Sequence, residues 1–264
     1  TLLHLASQEG SEELVRALIA AGADVNKATI DGLVTPMHFA ALSGHEAVIR
    51  ALIAGGADFN SGDGFDGATP LFIAARGGYE AAARALIAAG AEIDKATRCG
   101  QTPLIVAGDN DHTEIVRLLI AAGADVNHSD ENGIKALLFA VTKGFEATAR
   151  VLIDAGAEID KATRFGQTPL FAASNNDHAE TVRLLIAAGA DINHSNENGA
   201  TALFLVAAKG LEATARVLID AGADVNKASN AGITPLDVAS HYNHDAVARM
   251  LRDAGARLGA GTVI

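Results

Sequence analysis

One stretch of this 264-residue chain, Gly62-Asp63-Gly64-Phe65-Asp66-Gly67, has the spacing G-x-G-x-x-G. That spacing suits nucleotide chemistry after a buried strand and before a helix, where glycines let the backbone approach a pyrophosphate. With its neighbours the stretch also offers Ca²⁺ oxygen ligands from Asp58, Asn60, Asp63 and Asp66, without the EF-hand spacing or its terminal Glu. Nine histidines are scattered without a metal-ligand spacing, and His128 and His194 lie 66 residues apart. The single cysteine, Cys99, has Arg98 beside it, a cation of the kind that activates a thiol. One cysteine excludes an intrachain disulfide framework. No HExxH, Walker loop or G-x-S-x-G is present, so catalysis has no motif to rest on.

The elements that would hold these groups come from a recurring phrase. Thr35-Pro36-Met37-His38-Phe39-Ala40-Ala41 returns as Thr69-Pro70-Leu71-Phe72-Ile73-Ala74-Ala75, with further copies from Thr1, Thr102, Lys135, Thr168, Thr201 and Thr234. The step is 34 residues twice and then 33 residues five times. A second phrase, Gly-Ala-Asp-Val-Asn or a near variant, follows, as at residues 22–26, 123–127 and 222–226. Such a period means stacked supersecondary units, each too small to bury its own apolar face. In the unit from Thr168, the threonine caps a helix whose first residue is Pro169, where a missing N–H costs nothing. Asn175, Asn176 and Asp177 break that helix, a second carries Val182, Leu184, Leu185 and Ile186, and Gly189 ends it. Along the second helices runs an arginine series: Arg16, Arg50, Arg84, Arg117, Arg150, Arg183, Arg216 and Arg249. Glu46, Glu80, Glu146 and Glu212 stand four residues before their arginines, which predicts a self-paired, solvated face.

Thr-Pro-Leu-His-x-Ala, then Gly-His, then Gly-Ala-Asp-Val-Asn resembles the ankyrin repeat, and only residues 257–264 fall outside the resemblance. It implies an all-α repeat solenoid of paired antiparallel helices with β-hairpin fingers. It further implies one domain over residues 1–264, of about eight repeats, with the first cut short at its start. The last is read as a C-terminal cap, because Arg249, Arg252, Asp253 and Arg257 put charge where inner repeats carry Ala or Leu. Residues 62–67 then become an enlarged finger. His45, His112 and His178 take the Gly-His turn position, and His4 and His38 the motif position, as turn-stabilising hydrogen bonders. Asn127 and Asn193 serve the hairpin; related stretches can be substrates of an asparaginyl hydroxylase, which extends to Asn26, Asn127 and Asn226. Lys135-Ala136 and Thr201-Ala202 depart from Thr-Pro, which weakens the start of the inner helix in repeats five and seven.

A longer period overlies the short one, for residues 90–155 and 156–221 agree at 49 of 66 positions without gaps. Two repeats were therefore copied together. Positions that vary while the frame stays fixed are free of the fold's demands and mark the candidate partner surface. At the fingertips these include Phe65, Asp66, Arg98, Cys99, Glu131, Asn132, Arg164, Phe165, Glu197 and Asn198. At the ends of the inner helices they include Arg76, Lys143, Lys209 and Tyr242. Aromatics are only 4% of the chain, so Phe65, Phe165 and Tyr242 stand out, and with Arg98 and Arg164 they have hot-spot chemistry.

A net charge of −12 argues against a nucleic-acid footprint and weakly favours a neutral or basic partner. No apolar run approaches the ~20 residues that span a membrane, and the default compartment is the cytoplasm, with the nucleus as the other choice. The resemblance implies a non-enzymatic, monomeric scaffold that uses no cofactor or metal and binds a protein through its concave face and fingertips. End-to-end or finger-mediated self-association is the other oligomeric reading. The functional alternatives are an engineered or structural array without a ligand, and a module cut from a larger enzyme or effector.

Overall fold

The computed structural model describes residues 1–30, 33–164 and 166–260. The described residues form sixteen α-helices in two compact units, 1–131 and 132–264. In the first unit the inner helices are α1 (Leu2–Glu9), α3 (Pro36–Leu42), α5 (Pro70–Gly77) and α7 (Pro103–Asp109). Their outer partners are α2 (Glu12–Ala20), α4 (Glu46–Ala54), α6 (Glu80–Ala88) and α8 (Thr113–Ala121). In the second unit the inner helices are α9 (Ala136–Lys143), α11 (Pro169–Asn175), α13 (Ala202–Lys209) and α15 (Pro235–His241). They pair with α10 (Glu146–Asp154), α12 (Ala179–Ala187), α14 (Glu212–Asp220) and α16 (Asp245–Asp253). Within each unit every helix packs on its partner, inner helices pack on inner and outer on outer.

The threonines start the inner helices as expected. Thr69, Thr102, Thr168 and Thr201 accept a hydrogen bond through Oγ1 from the backbone N–H three residues on, at 3.2–3.3 Å. Thr201 therefore keeps its cap although Pro is missing from repeat seven. Lys135 has no side-chain cap to offer, and its Nζ instead reaches Glu158 Oε2 at 2.7 Å. Asp237 closes a capping box, accepting from the Thr234 N–H at 2.8 Å while Thr234 Oγ1 accepts from the Asp237 N–H. At the facing positions of inner and outer helices sit Ala40, Ala41, Ala74, Ala75, Ala82 and Ala83, all buried. Side chains of that size let short helices approach closely. Leu52, Leu71, Leu86 and Ile49 in the first unit, and Leu137, Leu152 and Leu170 in the second, fill the remaining core.

On the outer face Arg16, Arg50 and Arg150 pair with the acid four residues earlier at 2.7–2.9 Å, and Arg84 pairs with Glu80. Arg117 and Arg183 use the acid three residues earlier, at 3.5 and 3.4 Å. No such pair forms between Glu212 and Arg216, both among the described residues. Exposed pairs of this kind contribute about 0.2–0.5 kcal/mol each, so they neutralise the face more than they hold it.

Candidate partner-binding surface

Among the described residues a finger leaves an outer helix, turns back on itself and leads to the next inner helix. The turns close by single ladder bonds: Thr97 N–H to Gln101 O at 2.9 Å, Thr163 N–H to Gln167 O at 3.0 Å and Ser229 N–H to Ile233 O at 2.9 Å. Among the described residues one isolated β-bridge is present, Ser195 with Thr201. Residues 62–67 belong to such a turn, because Asp63 N–H donates to Ala68 O at 3.0 Å. Asp63 Oδ1 accepts from the backbone N–H groups of Phe65, Asp66, Gly67 and Ala68 at 2.9–3.3 Å. That oxygen organises a loop, and Asn60 Oδ1 is likewise taken by the Glu92 N–H at 2.9 Å. The stretch is the enlarged finger, and among the described residues no strand precedes it as the dinucleotide fingerprint requires.

Successive fingers are tied by side chains from the second phrase. Asn26 Oδ1 accepts from the Asp58 N–H at 2.7 Å, and Asn193 Oδ1 from the Asp224 N–H at 2.8 Å. Aspartates do the same work where the asparagine is replaced: Asp160 Oδ1 accepts from the Asp191 N–H at 3.0 Å. At the other end of the repeat a second ladder runs through histidine. His45, His112, His178 and His244 donate from Nε2 to the carbonyls of Gln8, Arg76, Thr142 and Ala208 at 2.9–3.1 Å. His128 reaches the Gly100 carbonyl at 3.2 Å. The histidines that sequence reading assigns to turns are therefore bonds between repeats.

His38 is the exception. It is 1% exposed, its Nδ1 accepts from the Thr35 N–H at 3.1 Å, and its Nε2 is buried without a hydrogen bond. Desolvation holds its pKa below the ordinary histidine value, with the Asp63 charge opposing.

The fingertips present most of the candidate residues to solvent, with their backbones pinned. Arg98 N–H donates to Asp66 O at 2.7 Å, Glu131 N–H to Cys99 O at 3.2 Å, and Asn230 N–H to Asn198 O at 3.0 Å. Phe65 is 66% exposed, and Cys99, Glu131, Asn132, Arg164, Glu197 and Asn198 are exposed as well, while Asp66 is half-buried. Arg98 is exposed but already engaged, since its guanidinium donates to the Phe65 carbonyl at 2.9 Å. The Cys99 thiol lies 3.6 Å from Asp66 Oδ1 and 3.2 Å from Thr97 Oγ1, so it faces a carboxylate and a hydroxyl. Phe165 lies outside the described residues. Asn230 was not among the sequence candidates, yet its Nδ2 clamps the Glu197 carbonyl at 2.9 Å. Its register, 33 residues beyond Glu197 and four such steps beyond Arg98, was the available signal.

At the inner-helix ends three cations lean on their own unit. The Arg76 guanidinium lies 5.8 Å from the Phe72 ring centre, and Lys143 Nζ lies 6.0 Å from that of Phe145. Lys209 Nζ donates to the Asn175 carbonyl at 2.9 Å, closing the end of α11. Tyr242 is 52% exposed and stacks edge-on with His241 at 4.9 Å. Geometry thus separates the candidates into side chains held by the frame (Arg98, Lys209) and side chains displayed by it (Phe65, Arg164, Glu197, Tyr242). Among the described residues no group of three or more His, Cys, Asp or Glu is placed to hold a metal ion, and no helix is long and apolar enough to cross a membrane.

Comparison with known proteins agrees with this architecture. The family model described as "Ankyrin repeats (3 copies)" matches at residues 3–97, 37–130, 91–163, 123–196 and 170–261. Among solved structures, the crystal structure of the human ASB11 ankyrin repeat domain superposes with a TM-score of 0.76 at 30% identity. That alignment covers 85% of this chain and 99% of the other. No curated protein matches in sequence.

Proposed function

Because the chain belongs to the ankyrin-repeat family, whose domains are generally protein-interaction modules, we propose that it binds a protein partner through the displayed fingertip and inner-helix side chains. The observation that carries this reading is the pinning of the fingertip backbones, Arg98 to Asp66, Glu131 to Cys99 and Asn230 to Asn198. Tips held by bonds to their neighbours lose little freedom on binding, and such preorganisation lowers the cost of association. Phe65 and Tyr242 are large exposed aromatics in a chain with few, which is hot-spot chemistry on a rigid mount. The role is that of a non-catalytic, monomeric scaffold, and the single free cysteine suits the reducing cytoplasm or nucleus. The acidic balance favours a neutral or basic partner surface.

The test is affinity capture from source-cell extract, read by mass spectrometry, with three baits. One is the natural chain, one carries F65A and E131A in the first unit, and one carries R164A, E197A and Y242A in the second. Arg98 and Lys209, whose side chains bond to the frame, are left unchanged, and an unchanged Tm for each variant verifies folding. A protein captured by the natural chain and lost from either variant supports the reading. Identical capture by all three baits, or none by any, overturns the fingertip surface and favours an array without a ligand.

A further inference from the structure

We propose that a cleft between α9 and α11 receives one uncharged apolar side chain of the protein partner, an inference that rests on the binding role above. The cleft is about 320 Å³, and Leu138, Phe139, Phe171 and Ala172 are among the residues that line it. Pockets that bind small molecules run from about 300 to 1,000 Å³. A space at the low end of that range suits a single anchoring side chain.

The cleft has an origin in the sequence. The fifth position of the repeated phrase is Leu5, Phe39, Ile73, Val106, Phe139, Leu205 and Val238 in seven of the repeats, and Ala172 in repeat six. Only there is the bulk missing. Its neighbour Phe139 stands at the same position on α9, and the space that a side chain on residue 172 would occupy stays open beside it. Local bonds hold the two walls: Asn176 Nδ2 donates to the Ala172 carbonyl at 2.9 Å, and Thr142 Oγ1 to the Leu138 carbonyl at 2.6 Å.

Comparison of the two copied segments points to the same place. They differ at 17 of 66 positions (66 less the 49 shared), and seven of the eleven cleft residues fall on those 17. A uniform scatter would put about three there by proportion. Val106 in one copy is Ala172 in the other, Ile105 is Phe171, and Asp109 is Asn175. The frame was copied and the cleft was not.

Its electrostatics select the occupant. Among the described residues no Asp, Glu, Lys or Arg lines the cleft, and Asp109 of one copy is an amide, Asn175, in the other. The nearby cation, Lys209, is bound to the Asn175 carbonyl. An acidic side chain entering here finds no counter-charge inside a chain of net charge −12, and a basic one finds no acid at the site. Burial of either charge would cost several kcal/mol. An aromatic or branched aliphatic side chain meets two phenylalanine rings, while the lining amides of Gln167 and Asn175 suit the peptide groups that flank an anchor.

The experiment is selection of a random 12-residue phage-displayed peptide library on the natural chain, with A172L as the counter-target. Leucine is what Leu205 supplies at this position, so A172L fills the cleft with a residue the frame already accepts, and an unchanged Tm verifies its fold. The expected result is enriched peptides sharing one uncharged aromatic or branched residue, with binding at least tenfold weaker to A172L. Peptides that bind both targets equally, or that share a charged anchor, overturn the cleft and leave the fingertip role standing. Failure to enrich any peptide also overturns the cleft, whereas the fingertip role is decided by the capture experiment.

Discussion

The ring of His178 lies against Gly144 while its Nε2 donates to the carbonyl of Thr142, 36 residues back, at 3.0 Å. Gly144 has φ +76°, and a Cβ there would sit 2.6 Å from His178 Nδ1. Gly144→Ala is expected to cost about 2 kcal/mol or more, from left-handed strain and this collision together. In a His178→Ala background the collision is gone, and the same change should cost only about 1–2 kcal/mol. Urea unfolding of the four proteins of this cycle measures the difference, and strict additivity would refute the contact.

Asn193 tests the second ladder. Asn193→Ala removes the acceptor of the Asp224 N–H and should destabilise by about 1 kcal/mol, with faster amide exchange at Asp224. Asn193→Asp keeps an acceptor, as Asp160 does for Asp191, and should exchange like the natural chain. Equal exchange in the alanine variant would show that the bond is incidental.

His38 sets a pH dependence. Its folded pKa lies below the ordinary histidine value of about 6.5, chiefly through desolvation, so the unfolded chain binds the proton more readily. Stability is therefore complete above about pH 6.5 and declines as pH falls through the window between the unfolded and folded values. His4 is shifted in the same direction, also chiefly by desolvation. His38→Phe places there the residue that Phe72, Phe171 and Phe204 supply in other repeats. Denaturant midpoints compared at about pH 7 and about pH 5 should fall less in this variant than in the natural chain. An equal fall would assign the effect to other groups.

Repeat seven starts its inner helix at Thr201 with a cap and without proline. Ala202→Pro restores the usual first residue where the N–H has no helical partner, and should stabilise by about 0.4–1 kcal/mol. Chemical denaturation gives the sign directly; destabilisation would mean that the backbone at 202 departs from proline's φ.

Sequence made the frame legible because its demands are local. A threonine three residues before an N–H, or an acid four before an arginine, can be paired by counting, and Thr168 to Phe171 and Glu46 to Arg50 follow. Bonds between repeats were legible only as positions. The period puts His112 near the end of α5, but nothing in composition says that it selects the Arg76 carbonyl. Arg98 reads as a displayed cation and is in fact committed to the Phe65 carbonyl, since a flexible guanidinium takes whichever carbonyl its neighbour presents. Ala172 was visible as the one small residue in its series. Its meaning depended on knowing that α9 and α11 stand side by side with that position between them.

The bonds from Asn26 to Asp58, Asn193 to Asp224, His112 to Arg76 and His178 to Thr142 span 32, 31, 36 and 36 residues. Each is about one period long and joins one repeat to the next. A chain joined in this way never has to bring distant segments together against the entropy of a large loop, and that entropy grows with loop length. Low contact order of this kind predicts rapid assembly from whichever pair of neighbours forms first. Lengthening the array by another repeat then leaves the hardest step in its folding unchanged.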